Sequence, residues 1–540
     1  MAKIRRVFTV DGKPFYPVGG QTQNSSGYNA DEWATAFRAL ELINGNMLEI
    51  PVYWEQIEPE EGTFDFAQLD ELLDSARSQG VRLVLLWFGT WKNGNMEYVP
   101  DWVKTDPERF RRVVSPTGHD LWVLSSHCQA TFEADKQAFT ALCRHLRSVD
   151  SENYTVLALQ IENEPGILGA DRDYSVAGQA VLESEVPAEI VAHLGDGSGG
   201  HVHDLWQAAG GQPSGNWPEL FGEAGGELMT AWSIARYIDA LAEAGKAVLG
   251  LPMVLNAWLG ENGWQIPGES YPSGGPVTGV LDLYKWATPH VDLIAPDIYI
   301  ADAKGYEAIC QAYAREDNPL FVPESAPGGS NPLRMFRAIG DYNAIGYAFF
   351  AIECVVDGEG SVRPELRPLV DSFRCVAAAI PLLLTYQGTD SVHVIAQEAD
   401  LGVQRLDLDG YVGLVEFGNG AIAYRGKDWR HPVPRRRTEQ PPGTGPGRGL
   451  VFQTGPHEFY CVGANYHLHL RPKGSPAEHL QAAQTNTHML TRLAHYVRVD
   501  EGHFNDSGDF IIDRRRNGDE TDHSVWVEPD VGVVRVVLCD

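Results

Sequence analysis

Two glutamates, Glu164 and Glu324, each follow an apolar run that has the length and composition of a buried strand. The first run closes with Glu-Asn-Glu-Pro at residues 162–165, and the second closes with Pro-Glu at residues 323–324. Proline cannot donate a hydrogen bond to a central sheet and favours extended geometry before it, so both strands should end here. A buried carboxylate is unfavourable unless it has a task. Two carboxylates that face each other across a sugar can break a glycosidic bond with retention of configuration.

The roles of the two carboxylates follow from the needs of that reaction. One must be protonated, and we expect this of Glu164 because burial and the charge of Glu324 would favour its neutral form. The other must attack as an anion, and we expect this of Glu324, with Tyr299 placed to donate a hydrogen bond to it. Asn163 is the candidate for binding the 2-hydroxyl of the sugar. Glu49 and Glu162 also lie in apolar runs, and we interpret them as buried pair partners rather than catalysts.

Strand-like and helix-like periodicities alternate along the first two thirds of the chain, which is typical of a parallel sheet covered by helices. Residue 324 follows residue 164 by roughly 160 positions, or about four βα units of roughly 40 residues. The predicted strands are 15–21, 46–54, 81–88, 155–162, 253–258, 291–300, 319–324 and 346–352, and the predicted helices are 30–43, 67–78, 132–149, 226–247, 304–315 and 332–340. Eight strands predict a TIM (β/α)8 barrel, in which active sites lie at the carboxyl ends of the strands.

The sequence divides into a barrel, a connecting helix and a β-domain. The barrel takes residues 1–360, and a long insert at 166–225 interrupts it, with a helix predicted over 180–193. An insert of this length within a barrel is typical of a functional loop, and we expect it to wall the active site. Residues 361–388 are predicted to form the connecting helix, and residues 389–540 an antiparallel, β-sandwich-like domain.

The composition excludes several classes of partner. The chain has 540 residues and a formal net charge of −31, which argues against nucleic acid and against an anionic membrane surface. No apolar run reaches the ~18 residues of a membrane span, and the first ten residues lack the apolar segment of a signal peptide. The 7 cysteines show no CxxC spacing, which favours reduced thiols. We therefore expect a cytoplasmic location, while the loss of an export signal from this chain stays open.

Three segments resemble clan A of the glycoside hydrolases and, within it, families 35 and 42, the β-galactosidases. Residues 161–165, Ile-Glu-Asn-Glu-Pro, are similar to the strand-four motif in which Asn-Glu supplies the acid/base. Glu324, in Val-Pro-Glu-Ser, stands where the clan has its strand-seven nucleophile. Residues 51–66, Pro-Val-Tyr-Trp-Glu-Gln-Ile-Glu-Pro-Glu-Glu-Gly-Thr-Phe-Asp-Phe, resemble the strand-two motif of the two families. Residues 85–94, Leu-Leu-Trp-Phe-Gly-Thr-Trp-Lys-Asn-Gly, depart from the strand-three pattern of family 35, and the β-domain resembles that of a divergent bacterial branch of family 35.

The resemblance implies a retaining exo-β-glycosidase, a β-galactosidase acting on terminal non-reducing β-D-galactosides, with no metal and no organic cofactor. Its partner would be an oligosaccharide or glycoside, and the β-domain could join subunits into a homo-oligomer. Further residues at the predicted strand ends are candidates for contacting the sugar: Gln21, Trp54, Trp91, Lys92, Asn93, Asn256, Trp258 and Glu353. Two alternatives stay open, namely the same machinery acting on a β-glucoside, β-xyloside or β-mannoside, and a carbohydrate-binding barrel without catalysis.

Overall fold

The computed structural model describes residues 7–260, 264–398, 402–417, 445–474, 494–517, 520–521 and 524–539. The strands up to residue 300 are β1 (Phe8–Val10), β2 (Lys13–Phe15), β3 (Gly19–Gln21), β4 (Met47–Tyr53), β5 (Arg82–Lys92), β6 (Arg112–Val114), β7 (Asp120–Leu124), β8 (Val156–Asn163), β9 (Met253–Trp258) and β10 (Leu293–Asp297). The α-helices are α1 (Ala30–Leu42), α2 (Trp54–Ile57), α3 (Ala67–Gln79), α4 (Asp101–Lys104), α5 (Gln129–Asp150), α6 (Val176–Glu183), α7 (Ala188–Gly195), α8 (Gly200–Ala208), α9 (Trp217–Phe221), α10 (Gly225–Val248), α11 (Leu281–Ala287), α12 (Ala303–Tyr313), α13 (Asn331–Gly340), α14 (Arg367–Ala378) and α15 (Ile380–Tyr386).

Parallel strands form a closed barrel. One sheet runs in the order β3, β4, β5, β8, β9, β10, and every pair in it is parallel. Single parallel bridges close the ring: Ile298 pairs with Ser325, Val322 with Tyr347, and Gln21 with Phe350. The predicted (β/α)8 barrel is therefore confirmed. Its seventh and eighth strands, predicted over 319–324 and 346–352, are short extended segments rather than continuous strands, and Pro323 has no N–H for a regular ladder.

Local sequence signals account for where the elements begin and end. Strand β4 is buried along its whole length, as expected for a strand that is covered on both faces. The side chain of Asn29 caps α1 by accepting from the N–H groups of Asp31 and Glu32. Helix α3 ends at Gly80, which adopts a left-handed φ of 68° that glycine tolerates best.

The long insert contains four short helices rather than one long one. The helix predicted over 180–193 is broken into α6 and α7, because Pro187 precedes α7 and cannot lie inside a helix. The helical part packs against the flank of the barrel, where the ring of His193 stacks on Trp286 of α11 with 4.7 Å between the ring centroids. The first residues of the insert lie beside the loop after β9, where Ile167 pairs with Ser273. That the insert walls the active site stays a prediction.

The connecting segment also contains two helices where one was predicted. Helices α14 and α15 meet at Ala379, and Pro381 begins the second. Among the described residues, no single helix is long and apolar enough to cross a membrane; the segments Pro364–Ala378 and Ile380–Tyr386, bent by 58°, reach that length and hydropathy only as a pair.

Antiparallel sheets make up the C-terminal domain, as predicted. Its strands are β11 (Val392–Ala396), β12 (Val403–Leu408), β13 (Tyr411–Phe417), β14 (Arg448–Gly455), β15 (Glu458–Ala464), β16 (Tyr466–Pro472), β17 (Tyr496–Phe504), β18 (Phe510–Arg516), β19 (Val525–Val527) and β20 (Val533–Leu538). One sheet has the order β11, β14, β15, β20, β17, β18 and the other the order β12, β13, β16, β19.

The C-terminal domain rests on the barrel helices that flank strands seven and eight. A Cβ added to Gly340, in α13, would lie 2.3 Å from a methyl group of Val394 in β11, so the two backbones approach closely. Arg448, at the start of β14, is fully buried and donates to Ser372 Oγ at 2.6 Å and to the carbonyl oxygen of Pro368 at 2.8 Å. These contacts hold the C-terminal domain against the half of the barrel that carries Glu324.

Candidate active site

A polar layer crosses the barrel interior at the carboxyl ends of its strands. Below it, alternate residues of neighbouring strands form an apolar cluster that includes Met47, Ala158, Val254 and Ala295. Because side chains alternate with a period of two along a strand, the residues two positions later also point inward. Those residues are polar and fully buried: Glu49, Gln160, Asn256 and Asp297.

Glu164 is presented by an unusual backbone turn at the end of β8. Its φ is 47° and that of Glu162 is 60°, left-handed values that raise the free energy of a non-glycine residue by about 1–3 kcal/mol each. Neighbouring strands hold the turn in place: the N–H of Gly94 donates to the carbonyl oxygen of Glu164 at 3.1 Å, and the N–H of Glu164 donates to Asn256 Oδ1 at 2.8 Å. The turn leaves Glu164 buried, with 6% of the residue exposed.

Glu324, on the seventh strand, accepts a hydrogen bond at each carboxylate oxygen. Gln21 Nε2 donates to Oε1 at 2.7 Å, and the Tyr299 hydroxyl donates to Oε2 at 2.7 Å, the contact that the sequence predicts. Burial, and then the charge of Glu324, raise the pKa of Tyr299 far above its ordinary value, so its hydroxyl stays a donor. Two such donors fix the position of both carboxylate oxygens.

The two glutamates lie close together, with a third carboxyl group beside them. One carboxyl oxygen from each of Glu164, Glu324 and Asp297 lies within 4.8 Å of the others. In retaining glycosidases the two carboxyl groups are about 5–5.5 Å apart, whereas inverting enzymes need about 6.5–9.5 Å to admit a water. The spacing of Glu164 and Glu324 therefore fits direct attack on a sugar.

Asp297 was not among the predicted site residues. Burial raises its pKa well above the ordinary value, and the charges of Glu324 and Glu164 and a hydrogen bond to Glu164 raise it further. Asn256 Nδ2 donates to Asp297 Oδ2 at 2.8 Å. The sequence signal was present, since Pro-Asp-Ile-Tyr closes an apolar run just as Asn-Glu-Pro does.

Glu49 has no pair partner, which corrects the expectation from the sequence. Both of its carboxyl oxygens are buried without a hydrogen bond in the described part of the chain. Burial and then the charge of Glu324 raise the pKa of Glu49 well above its ordinary value. Glu49 therefore lies near Glu324 in surroundings that favour its neutral form. Glu162 does have a buried partner, because it faces outward and forms a hydrogen bond with Asp135 behind the barrel.

Asn163 is placed to bind a ligand. Its Oδ1 accepts from Gln160 Nε2 at 3.1 Å and from Asn256 Nδ2 at 3.3 Å, which fixes the orientation of the amide. Its Nδ2 is buried and has no partner among the described residues. An oriented, unpaired N–H group beside two carboxylates suits a sugar hydroxyl.

Three of the other predicted contact residues, Gln21, Tyr299 and Asn256, belong to the network around the carboxylates. Lys92 ends β5 and Asn93 follows it, with the Lys92 ammonium on Asn93 Oδ1. Trp258 ends β9 and is half-buried.

Glu353 lies after the eighth barrel strand and contacts the loop that follows the first barrel strand. Its carboxylate oxygens accept from the N–H of Gln23 at 3.1 and 3.2 Å. Burial raises its pKa. The structure therefore places it as a support for the first loop.

Trp54 and Trp91 are not brought to the site. Trp54 lies in α2, donates from Nε1 to Glu58 at 2.8 Å and packs edge-on to Trp102. Trp91 packs edge-on to Tyr237 of α10 with 4.8 Å between centroids. Both belong to the layer between strands and helices, so neither offers a face to a sugar, and the prediction for both is wrong.

The oxygen spacing of the three clustered carboxyls would also suit a cation. Glu324 already accepts from Gln21 and Tyr299, however, so each of its oxygens has a donor without an ion. The raised pKa of Asp297 favours its uncharged form, which would bind a cation weakly. A cavity of about 120 Å³ lies beside Tyr299, between segments 298–301 and 326–331.

Comparison with known families adds to this geometry. The family model of glycoside hydrolase family 42, described as β-galactosidase, matches residues 24–180, which include strands two to four of the barrel and Glu164. The resemblance to the clan A β-galactosidases is confirmed. A second model, a domain of unknown function (DUF5597), matches residues 369–528, from α14 to the end of β19. No curated protein matches the chain.

Solved structures of low identity overlap roughly two thirds of the chain. A β-galactosidase from Bacillus circulans sp. alkalophilus has 15% identity and a TM-score of 0.49 over 69% of this chain and 57% of its own. The β-amylase catalytic domain from Paenibacillus polymyxa has 14% identity and a TM-score of 0.46 over 66% and 97%. An exo-β-1,4-mannosidase from Opitutaceae bacterium strain TAV5 has 15% identity and a TM-score of 0.42 over 70% and 62%. The chain thus spans less than two thirds of the β-galactosidase and of the mannosidase, and overlaps of this quality transfer neither a substrate nor a residue role.

Proposed function

We propose that this protein is a retaining exo-β-glycosidase that hydrolyses terminal non-reducing β-D-galactosides. The observation that supports it most is the pair Glu164 and Glu324, both nearly buried, with carboxyl oxygens within 4.8 Å of each other. A buried pair at this spacing suits double displacement. The family 42 match over residues 24–180 supports the choice of galactoside.

In the first step, Glu324 attacks the anomeric carbon while Glu164 gives its proton to the glycosidic oxygen, and the leaving alcohol departs as the bond to Glu324 forms. In the second step, Glu164 takes a proton from water, the water oxygen attacks the anomeric carbon, and Glu324 is released as a carboxylate. The donors Gln21 and Tyr299 hold Glu324 in position. Asn163 would donate its unpaired Nδ2 hydrogen bond to the 2-hydroxyl, where contacts strengthen in the transition state.

The terminal-sugar preference follows from what closes the site around Glu164. Residues after Glu164 pair with the loop after β9 through Ile167 and Ser273. A Cβ on Gly166 would lie 2.5 Å from Pro272, so no space separates the two segments. They would form one wall of the pocket and leave room for the end of a chain rather than its middle.

Double displacement by two glutamates needs no cofactor. We further propose that the protein is a cytoplasmic enzyme of carbohydrate metabolism and that neither nucleic acid nor a membrane is its partner. The C-terminal domain would supply contacts between subunits of a homo-oligomer.

A panel of nitrophenyl glycosides tests the function. We expect the β-galactoside to be hydrolysed with the highest kcat/KM, and proton NMR of the first product to show the β-anomer. Glu324→Gln should abolish turnover, while Glu58→Gln, a matched change of a buried glutamate that binds Trp54, should leave kcat within a few-fold. A preference for the glucoside, xyloside or mannoside would change the sugar and keep the mechanism. Binding of sugars without turnover of any glycoside would support the non-catalytic barrel.

A further inference from the structure

Asp297 is a third buried carboxyl group at the centre of the proposed site. It ends β10, is fully buried, and has a carboxyl oxygen within 4.8 Å of oxygens of both Glu164 and Glu324. Three anions at this distance in a buried site would repel one another strongly. At least one of them therefore carries a proton when Glu324 is ionised.

Glu164, as the proposed acid, carries one proton, and the surroundings of Asp297 favour a second one there. Asn256 Nδ2 donates to Asp297 Oδ2, whereas Asp297 Oδ1 is buried and meets no donor among the described residues, so the proton belongs on Oδ1. Asn256 is itself held, because its Oδ1 accepts from the N–H of Glu164 and its Nδ2 also reaches Asn163 Oδ1. The Asn256 amide therefore cannot rotate to donate elsewhere without losing the contact to the Glu164 backbone.

We propose that Asp297 is a positioning residue for Glu164: it stays a neutral acid throughout the cycle and donates its Oδ1–H hydrogen bond to the Glu164 carboxyl group. The role of Asp297 in catalysis rests on the proposed function. When Glu164 has given its proton to the leaving group, the Asp297 donor stabilises the resulting carboxylate and holds it towards the incoming water. No proton leaves Asp297, so the charge balance of the two displacement steps is unchanged.

Several other groups face Asp297. Glu49 lies on β4, Glu164 directly follows β8, Glu324 lies on the seventh strand, and Tyr299 follows Asp297 by two residues. Burial is the largest cause of the raised pKa of Asp297, and the neighbouring carboxylates add to it.

Two substitutions distinguish a neutral Asp297 that donates to Glu164 from an ionised Asp297. Asp297→Asn keeps the geometry, because the new side-chain oxygen can accept from Asn256 while its amide donates to Glu164. We expect kcat/KM within tenfold of the parent and an alkaline limb of the pH profile within about half a unit of it. Asp297→Ala removes the donor, so the Glu164 carboxylate is less stable. We expect a loss of about 10²-fold in kcat/KM and an alkaline limb at least one unit higher.

Two other outcomes would overturn the proposal, and they differ from each other. If Asp297 were ionised, its charge would help Glu164 to hold its proton, and Asp297→Asn would move the alkaline limb down by a unit or more. If Asp297 only supported the fold, Asp297→Ala would lower the melting temperature and leave the alkaline limb in place. Asp371→Asn, a buried aspartate in α14 that pairs with Arg367, is the matched control and should leave the profile unchanged.

A second readout needs no activity. A carboxyl group that is neutral when folded and ionised when unfolded makes stability fall as pH rises above the unfolded pKa of about 3.9. Between pH 5 and 7 the melting temperature of the parent should therefore fall more steeply than that of Asp297→Asn. Equal slopes would overturn the neutral assignment. If the parent proved inactive on every glycoside while the slopes still differed, the proposed function would fail and the protonation of Asp297 would stand.

Discussion

Gln21, on the first barrel strand, donates a 2.7 Å hydrogen bond to Glu324, on the seventh, although 303 residues separate them in the chain. The contact exists because the ring closes: β3 pairs with the eighth strand at Gln21 and Phe350. One oxygen of Glu324 is thus held from the first strand and the other from Tyr299 after the sixth. Glu324, the proposed nucleophile, is thus positioned by barrel closure rather than by its own loop.

The Gln21 contact can be tested by removing it. A hydrogen bond to a charged group contributes about 1.5–3 kcal/mol, so Gln21→Ala should lower kcat/KM by roughly 10- to 150-fold. It should also move the acid limb of the pH profile upward, because the Glu324 anion loses a donor. Gln23→Ala is the control, since Gln23 contributes only its backbone N–H to Glu353. An unchanged acid limb in Gln21→Ala would show that the amide does not stabilise the anion.

Glu164→Ala should separate the acid role from the nucleophile role. General acid catalysis raises the rate by about 10²–10⁴-fold, and only for leaving groups that need a proton. We expect far larger losses on disaccharides than on dinitrophenyl glycosides, and rescue of turnover by azide, which needs no base. The rescued product should be the β-glycosyl azide, since two inversions give net retention. An α-azide would exchange the two roles, and equal losses without rescue would leave Glu164 a support only.

The carboxyl cluster should work without a metal. Gln21 and Tyr299 already donate to the two oxygens of Glu324, and the proposed proton on Asp297 removes one negative charge, so dialysis against EDTA should leave kcat and KM unchanged within error. Added Mg²⁺ or Ca²⁺ should not raise the melting temperature. Loss of activity on chelation, with recovery on adding one divalent ion, would instead assign the three carboxyls as ligands.

Glu49 should make the protein less stable as pH rises. Its raised pKa means that the folded state keeps the proton while the unfolded glutamate, with a pKa of about 4.3, loses it. The stabilisation is complete below pH 4.3 and falls by about 1.4 kcal/mol per unit as pH rises towards the folded pKa. Urea unfolding at pH 5, 6 and 7 should show a shallower decline for Glu49→Gln than for the parent. Glu41→Gln, an exposed control, should follow the parent, and a parallel decline in Glu49→Gln would contradict a neutral Glu49.

The sequence predicted the barrel and the two glutamates because both depend on local signals. Apolar runs that end in Asn-Glu-Pro and Pro-Glu mark the ends of strands, and the alternation of strand and helix sets the order around the ring. Tyr299 was found in the same way. Each of these predictions needs only the position of a residue along its own strand.

The predictions that did not hold depend on the direction of a side chain or on a distant neighbour. The pairing of β5 with β8 shifts in register between Trp87 and Lys92, so counting along β5 could not show that Trp91 points outward. Glu49 and Asp297 acquire their significance only when strands two and six are brought beside Glu324. Counting alternate positions along each strand would have placed Glu49 and Asp297 inside the barrel. It would not have given their distances from Glu324.

Trapping the covalent intermediate is the most direct test of the central claim that Glu324 is the nucleophile of a retaining glycosidase. A 2-fluoro-β-galactosyl donor with a dinitrophenyl leaving group should inactivate the enzyme, release one equivalent of dinitrophenol and add one sugar mass per chain. Peptide mapping should place that sugar on Glu324, and Glu324→Gln should take up none. A label on another residue, or inactivation without a covalent adduct, would contradict the account.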